Sequence, residues 1–110
     1  MSEFQTIPVT DGDGQTYLLV VEAQNPGSYE QAFINRGFYQ ELASLLRRLL
    51  SSPGTLIDLG ANIGTVCLPV AAAGNNVVAV ELLPRNVAKL SLAAEVNGFT
   101  NIRVVEAAVT

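Results

Sequence analysis

The stretch Ile57-Asp58-Leu59-Gly60-Ala61-Asn62-Ile63-Gly64 reads as a short apolar strand running into a tight turn bracketed by glycines. Thr55 to Leu59 is the buried strand, Gly60 to Gly64 the turn, and Thr65 to Ala73 a helix stopped by Gly74-Asn75-Asn76. Further on, Val77-Val78-Ala79-Val80 is a second strand. Pro84 falls where a first helical residue is tolerated, Val87, Leu90 and Ala94 share a face, and Asn97-Gly98 ends that helix. Ile102 to Val109 is a third strand, whose continuous apolar character fits coverage on both faces. Strands alternating with helices predict βαβ units, and the right-handed crossover rule makes them one half of a doubly wound parallel sheet. The expected class is therefore α/β, with a three-layer, Rossmann-like parallel sheet.

Upstream of the strand the pattern changes. Phe38, Leu42, Leu45, Leu46 and Leu49 recur at helical spacing, with Gln40, Glu41, Arg47 and Arg48 off that stripe. An amphipathic helix closed by Ser51-Ser52-Pro53-Gly54 should lie against the sheet, with Arg47-Arg48 on a solvated face. Earlier still, Thr6-Ile7-Pro8-Val9, the turn-forming Asp11-Gly12-Asp13-Gly14 and Tyr17-Leu18-Leu19-Val20-Val21 read as a β-hairpin. Asn25-Pro26-Gly27 breaks it, and Ser28 with Gln31 matches a capping box for a short helix ending at Gly37. Residues 1–37 are thus an N-terminal hairpin and short helix, and residues 38–110 the first half of a nucleotide-binding type of domain. A doubly wound sheet is usually completed by a second half, so the chain is expected to be a fragment, the alternative being a self-sufficient small domain made of the three strands, the hairpin and the helices. Its unpaired sheet edge would then be an association hazard, through which a homo-oligomer could form.

Composition narrows the function. Of 110 residues 49% are hydrophobic and 15% charged, which suffices for a core and excludes a disordered spacer. Six Lys plus Arg against ten Asp plus Glu leave a net charge of −4, so nucleic acid is not an expected partner. The absence of His removes imidazole as general base or zinc ligand, and the single Cys67 permits neither an internal disulfide nor a multi-cysteine metal site. No metal is expected. A reducing, cytoplasmic home fits, and neither a signal peptide nor a membrane-spanning run is readable in the sequence. Cys67 itself reads as a small buried apolar residue, not a reactive thiol.

Chemistry concentrates where the strands end. Ligands of open α/β sheets bind at the carboxyl ends of the strands, where small residues let a ligand approach the backbone. Glycines there can equally serve only positive φ and close packing. A dinucleotide fingerprint starting at Gly60 would need glycines at 62 and 65, and those positions are Asn62 and Thr65. Glu81 closes the second strand, 21 residues after Gly60, where a carboxylate can accept hydrogen bonds from ribose hydroxyls or stand as a solvated strand-end charge. Asp58 can accept loop amides or meet a ligand, directly or through water.

These residues resemble those of the class I S-adenosylmethionine-dependent methyltransferases and, among them, the FkbM family. The likeness is carried by Asp58-Leu59-Gly60-Ala61-Asn62-Ile63-Gly64, by Glu81-Leu82-Leu83-Pro84, by Asn97-Gly98 and by Glu106-Ala107-Ala108-Val109. It covers residues 38–110 well and the hairpin loosely. The resemblance implies a cofactor site in which Gly60 and Gly64 shape the loop under the methionine moiety, Asn62 lines the same pocket, and Ala61 between them belongs to the cofactor-binding set. It further implies that Asp58 orients the loop or, through water, the ammonium group. Glu81 would hold both ribose hydroxyls, Leu82 would pack on the adenine face, and Glu106 and Ala107 would meet the adenine edge. Pro69 departs from the family pattern and would shorten or kink its helix unless the helix starts late. Tyr29, Phe33, Phe38 and Tyr39 could form a lid over the cofactor or pack into the core.

The activity implied is methyl transfer, of the O-methyl type, to a small molecule or sugar, with these residues as the cofactor-binding portion and inactive alone. No catalytic base is identifiable. Two other readings stay open: an NAD-type domain of an oxidoreductase, and a non-catalytic interaction module on the same scaffold.

Overall fold

A computed structural model describes residues 3–23, 38–50 and 53–109. Strands β1 (Phe4–Thr10) and β2 (Thr16–Glu22) form the expected antiparallel hairpin, in register from Phe4 opposite Glu22 to Thr10 opposite Thr16. The turn is closed by one side chain: Asp11 Oδ1 accepts the backbone N–H of Asp13 at 2.9 Å and of Gln15 at 3.0 Å. Gly14 supplies the positive φ of 81° that the reversal needs.

Helix α1 (Phe38–Leu49) occupies the expected residues and packs against α2 (Cys67–Ala72). Its inward face differs from the apolar stripe. Ala43 is fully buried, whereas Leu45 and Leu49 are exposed. Arg47, expected in solvent, is the reason: its side chain is only 8% exposed and meets Asp11 Oδ2 at 2.9 Å, the Asp11 side chain having no exposure at all. Asp13 Oδ2 also contacts Arg47 and accepts a 2.7 Å hydrogen bond from Ser44. The helix is therefore turned so that Ala43 and Arg47, one turn apart, face the hairpin and core. Arg48 stays exposed, as expected. The capping-box helix and the aromatic lid candidates Tyr29 and Phe33 fall outside the described residues, as do the side chains of Phe38 and Tyr39.

Three parallel strands, β3 (Thr55–Leu59), β4 (Asn76–Glu81) and β5 (Ile102–Glu106), form a sheet in the order β3-β4-β5. Helix α2 starts at Cys67, two residues later than Thr65, which puts Pro69 in its first turn. A proline there removes an N–H that has no intrahelical partner, so the helix is short and starts late. Helix α3 (Pro84–Asn97) begins with Pro84 and ends on Gly98 at φ 69°, as read from the sequence. Strand β5 ends at Glu106, not Val109. Its neighbour β4 ends at Glu81, so the last link between them is the Ala107 amide on the Glu81 carbonyl, 3.1 Å.

Two apolar clusters hold these elements. Leu19, Val20 and Val21 of the hairpin meet Ile63, Leu68 and Ala93, while Val77 and Ala79 of the sheet meet Ala43, Val70 and Leu90. Asn97 fastens the hairpin from α3, accepting the Leu18 N–H at 2.8 Å and donating to the Leu18 carbonyl at 2.7 Å, as a neighbouring strand would. Glu22 is anchored to α3 as well. The Arg85 guanidinium first, and then Lys89, hold its carboxyl at about 2 against the upward push of burial. All this covers one face of the sheet. On the other, Ile57 is 63% and Leu59 59% exposed, so β3 is covered on one face only. No helix among the described residues is long and apolar enough to cross a membrane.

Removing Arg47 strands a carboxylate that has no exposure. Arg47→Ala is expected to lower unfolding stability by about 3 to 5 kcal/mol, and Arg48→Ala by less than about 0.5 kcal/mol, in urea titrations.

Candidate functional site

The turn after β3 is built by hydrogen bonds to the next strand. The amides of Gly60 and Ala61 both donate to the Val80 carbonyl, at 2.8 and 3.0 Å, and the Gly64 amide donates to the Ala61 carbonyl at 3.0 Å. Two glycines are required for different reasons. Gly60, at φ 82°, has open space where a Cβ would stand, so its backbone faces the cleft bare. Gly64, at φ 100°, packs so closely that a Cβ would lie 2.7 Å from Leu68 and 3.0 Å from Leu90. Asn62 takes φ 57° between them, a left-handed conformation that asparagine tolerates better than most residues.

Glu81 ends β4 beneath this turn and is 7% exposed. Its Oε1 accepts the Asn62 amide at 2.7 Å and its Oε2 the Leu83 amide at 2.9 Å. Asp58 stands on the same face of the sheet, one strand away. Burial first, and then the charge of Glu81, push its carboxyl above the usual range. Burial, with Asp58 adding to it, also drives the Cys67 thiol far up, so this buried cysteine is no thiolate.

An open cleft of about 300 Å³ lies at the carboxyl ends of the three strands. Of the residues expected at a cofactor site, Gly60, Glu81, Leu82 and Ala107 line it together. Leu82 is 57% exposed, an apolar side chain of the cleft wall. The remaining candidates stand back from the cleft. Ala61 is buried behind the turn, Gly64 packs on Leu68 and Leu90, and Asp58 lies below the turn beside Glu81. Glu106 is an exposed strand end, in register with Glu81 but outside the lining. Asn62 points elsewhere than the expected pocket: its Oδ1 accepts the Nδ2 hydrogen of Asn86 at 3.1 Å.

Sequence reading missed Leu59, Val80, Ala108 and Val109, which complete the walls. The assignment of Ile102 to Val109 as one continuous strand concealed Ala108 and Val109, because a paired strand would not curl over the cleft. Asn86 was missed too. Its only signal is its place two residues after Pro84, in the first turn of a helix that follows Glu81.

No protein-family model matches the chain, and no curated protein matches it by sequence. Solved structures do match. A T. thermophilus 16S rRNA N2 G1207 methyltransferase, in complex with AdoMet and guanosine, superposes with a TM-score of 0.68 at 23% identity, over 99% of this chain and 28% of its own. A Pyrococcus abyssi tRNA (uracil-54, C5)-methyltransferase in complex with S-adenosyl-L-homocysteine gives 0.63 at 20% identity, over 96% of this chain and 24% of its own. A SAM-dependent methyltransferase from Agrobacterium tumefaciens gives 0.59 at 19% identity, over 96% and 32%. The chain has the Rossmann-like fold of the class I S-adenosylmethionine-dependent methyltransferases. It spans about a quarter to a third of the length of these structures.

Two outcomes test this geometry in the absence of ligand. Because the raised Asp58 carboxyl holds its proton more tightly when folded, its charge opposes folding at neutral pH and ceases to as pH falls below the unfolded value. Asp58→Asn is therefore expected to raise the melting temperature at pH 7, with the gain shrinking by pH 4. Gly64→Ala is expected to lower it at both pH values, through strain at φ 100° and collision with Leu68.

Proposed function

We propose that these residues form the S-adenosylmethionine-binding portion of a class I methyltransferase. The observation that carries this is the Glu81 carboxylate at the end of β4, facing a cleft whose floor is the bare backbone of Gly60. Each of its oxygens has taken one backbone hydrogen bond and keeps a second lone-pair direction, enough for two vicinal ribose hydroxyls. Leu82 offers an apolar surface for a purine ring. Asp58, below the turn and raised by burial and by Glu81, adds a second acidic group behind the cleft wall. The solved neighbours that carry AdoMet or S-adenosyl-L-homocysteine add support from the fold.

The charge of the site weighs against a dinucleotide. A pyrophosphate needs free loop amides, and the amides of Gly60, Ala61, Asn62 and Gly64 are all spent inside the chain. No Lys or Arg lines the cleft among the described residues. A nucleoside bearing a sulfonium and an ammonium meets the Glu81 carboxylate there instead.

Methyl transfer is an in-line displacement that needs alignment and a dry pocket more than a protein base. Among the described lining residues the one carboxylate, Glu81, is held by two backbone amides and assigned to the ribose. The resemblance of the glycine turn and the Glu81 segment to the FkbM family supports an oxygen nucleophile on a small molecule or sugar, and the net charge of −4 supports a non-nucleic acceptor. The RNA-modifying solved neighbours favour a second reading, in which the acceptor is RNA. A reducing compartment is part of the same proposal, supported by the single buried thiol.

Calorimetry decides the cofactor. S-adenosylhomocysteine is expected to bind and NAD not to. Glu81→Ala should weaken the first by about 1 to 3 kcal/mol, as for a lost hydrogen bond to a charged group. Leu82→Ser should weaken it without moving the melting temperature, since Leu82 is exposed when no ligand is present. Binding of NAD alone would overturn the proposal.

A further inference from the structure

Resting on the cofactor reading above, we infer that Asn86, which does not line the cleft, is a positioning residue that holds the nucleoside-binding carboxylate in place before any ligand arrives. The Glu81 carboxylate is gripped from two sides. Oε1 takes the Asn62 amide of the glycine turn at 2.7 Å, and Oε2 takes the Leu83 amide, just ahead of α3, at 2.9 Å. Asn86 stands one turn into α3 and donates through Nδ2 to Asn62 Oδ1 at 3.1 Å. Turn, carboxylate and helix start thereby close into a ring of three hydrogen bonds.

The ring has one weak member. Asn62 is the only residue other than glycine with positive φ among the described residues, and among them Asn86 alone hydrogen-bonds its side chain. If that backbone relaxes, the amide leaves Oε1 and the carboxylate turns in its socket. The Asn86 bond opposes this by tying the Asn62 side chain to a helix that is itself anchored by fully buried Leu90. Its effect on the ligand is indirect: it fixes the plane of the carboxylate, and so the direction in which the two remaining lone pairs point. The asparagine amide is also the right group. An aspartate at 86 could not donate to Asn62 Oδ1 and would bring a second negative charge toward Glu81.

The test is a double-mutant cycle with a ligand-free readout. Asn86→Ala is expected to weaken S-adenosylhomocysteine binding about fivefold to tenfold in calorimetry, the scale of one hydrogen bond. Asn86→Asp should do the same or worse, and Asn86→Gln should recover part of the affinity. In an Asn62→Gly background, which removes the acceptor and admits positive φ freely, Asn86→Ala should change affinity no further. Without ligand, hydrogen exchange of the residue 62 amide should quicken in Asn86→Ala and be the same in Asn62→Gly with or without Asn86. Equal losses of affinity in both backgrounds, or an unchanged residue 62 amide, would overturn the inference. Faster exchange at residue 62 in Asn86→Ala, with no binding even to the unaltered chain, would uphold the ring and overturn the cofactor reading instead.

Discussion

The arrangement of the cleft depends on one carboxylate accepting two backbone amides. Glu81 is nearly buried at the end of β4, where a lone charge would be expensive, and the Asn62 and Leu83 amides make it tolerable. In return it decides the path of both connections. The glycine turn cannot move away from β4 without leaving Oε1, and α3 cannot start elsewhere without leaving Oε2. Strand, turn and helix are thus referred to a single side chain, which is why the cleft has a shape in the absence of ligand. Asp58 bears part of the cost, since its own carboxyl is pushed upward by burial and by that neighbour.

A second constraint joins the hairpin to this frame. Among the described residues the hairpin pairs only with itself, and two strands alone are marginal in water. Three polar links compensate. Asn97 imitates a strand at Leu18, Arg47 reaches from α1 to the turn at Asp11 and Asp13, and Arg85 with Lys89 grips Glu22. Two of the three come from α3, the helix whose start Glu81 holds. The hairpin is therefore coupled to the cleft through one rigid element, although it contributes no residue to the lining.

Local patterns made much of this legible. The bounds of β3 and α3 follow from Gly60, Pro84 and Gly98, residues whose backbone demands are met within a few positions, and the strand–turn–helix order implied the site at the strand ends. What escaped reading depends on partners far away in sequence. Arg47 looks solvated until Asp11, distant along the chain, is folded against it, and that ion pair then rotates α1 away from its apparent apolar stripe. Asn62 looks like a pocket residue until α3 brings Asn86 beside it. The late start of α2 was foreseeable only conditionally, because Pro69 permits two helices and packing chooses between them. The bare face of β3 is invisible to periodicity, since an apolar strand reads the same whether one face or both are covered.

The open side of the cleft follows from the same accounting of hydrogen bonds. A phosphate-binding turn keeps its amides free and turned toward the anion. Here the amides of Gly60 and Ala61 face Val80, and that of Asn62 faces a carboxylate. The polarity is reversed: what the turn presents to a ligand is Gly60 without a side chain and, beside it, the spare lone pairs of Glu81. Such a surface attracts hydroxyl donors and positive charge and repels phosphate. The residues that make it so, Asn62 and Glu81, are also the ones that hold the turn together, so the ligand class and the local fold cannot be altered independently.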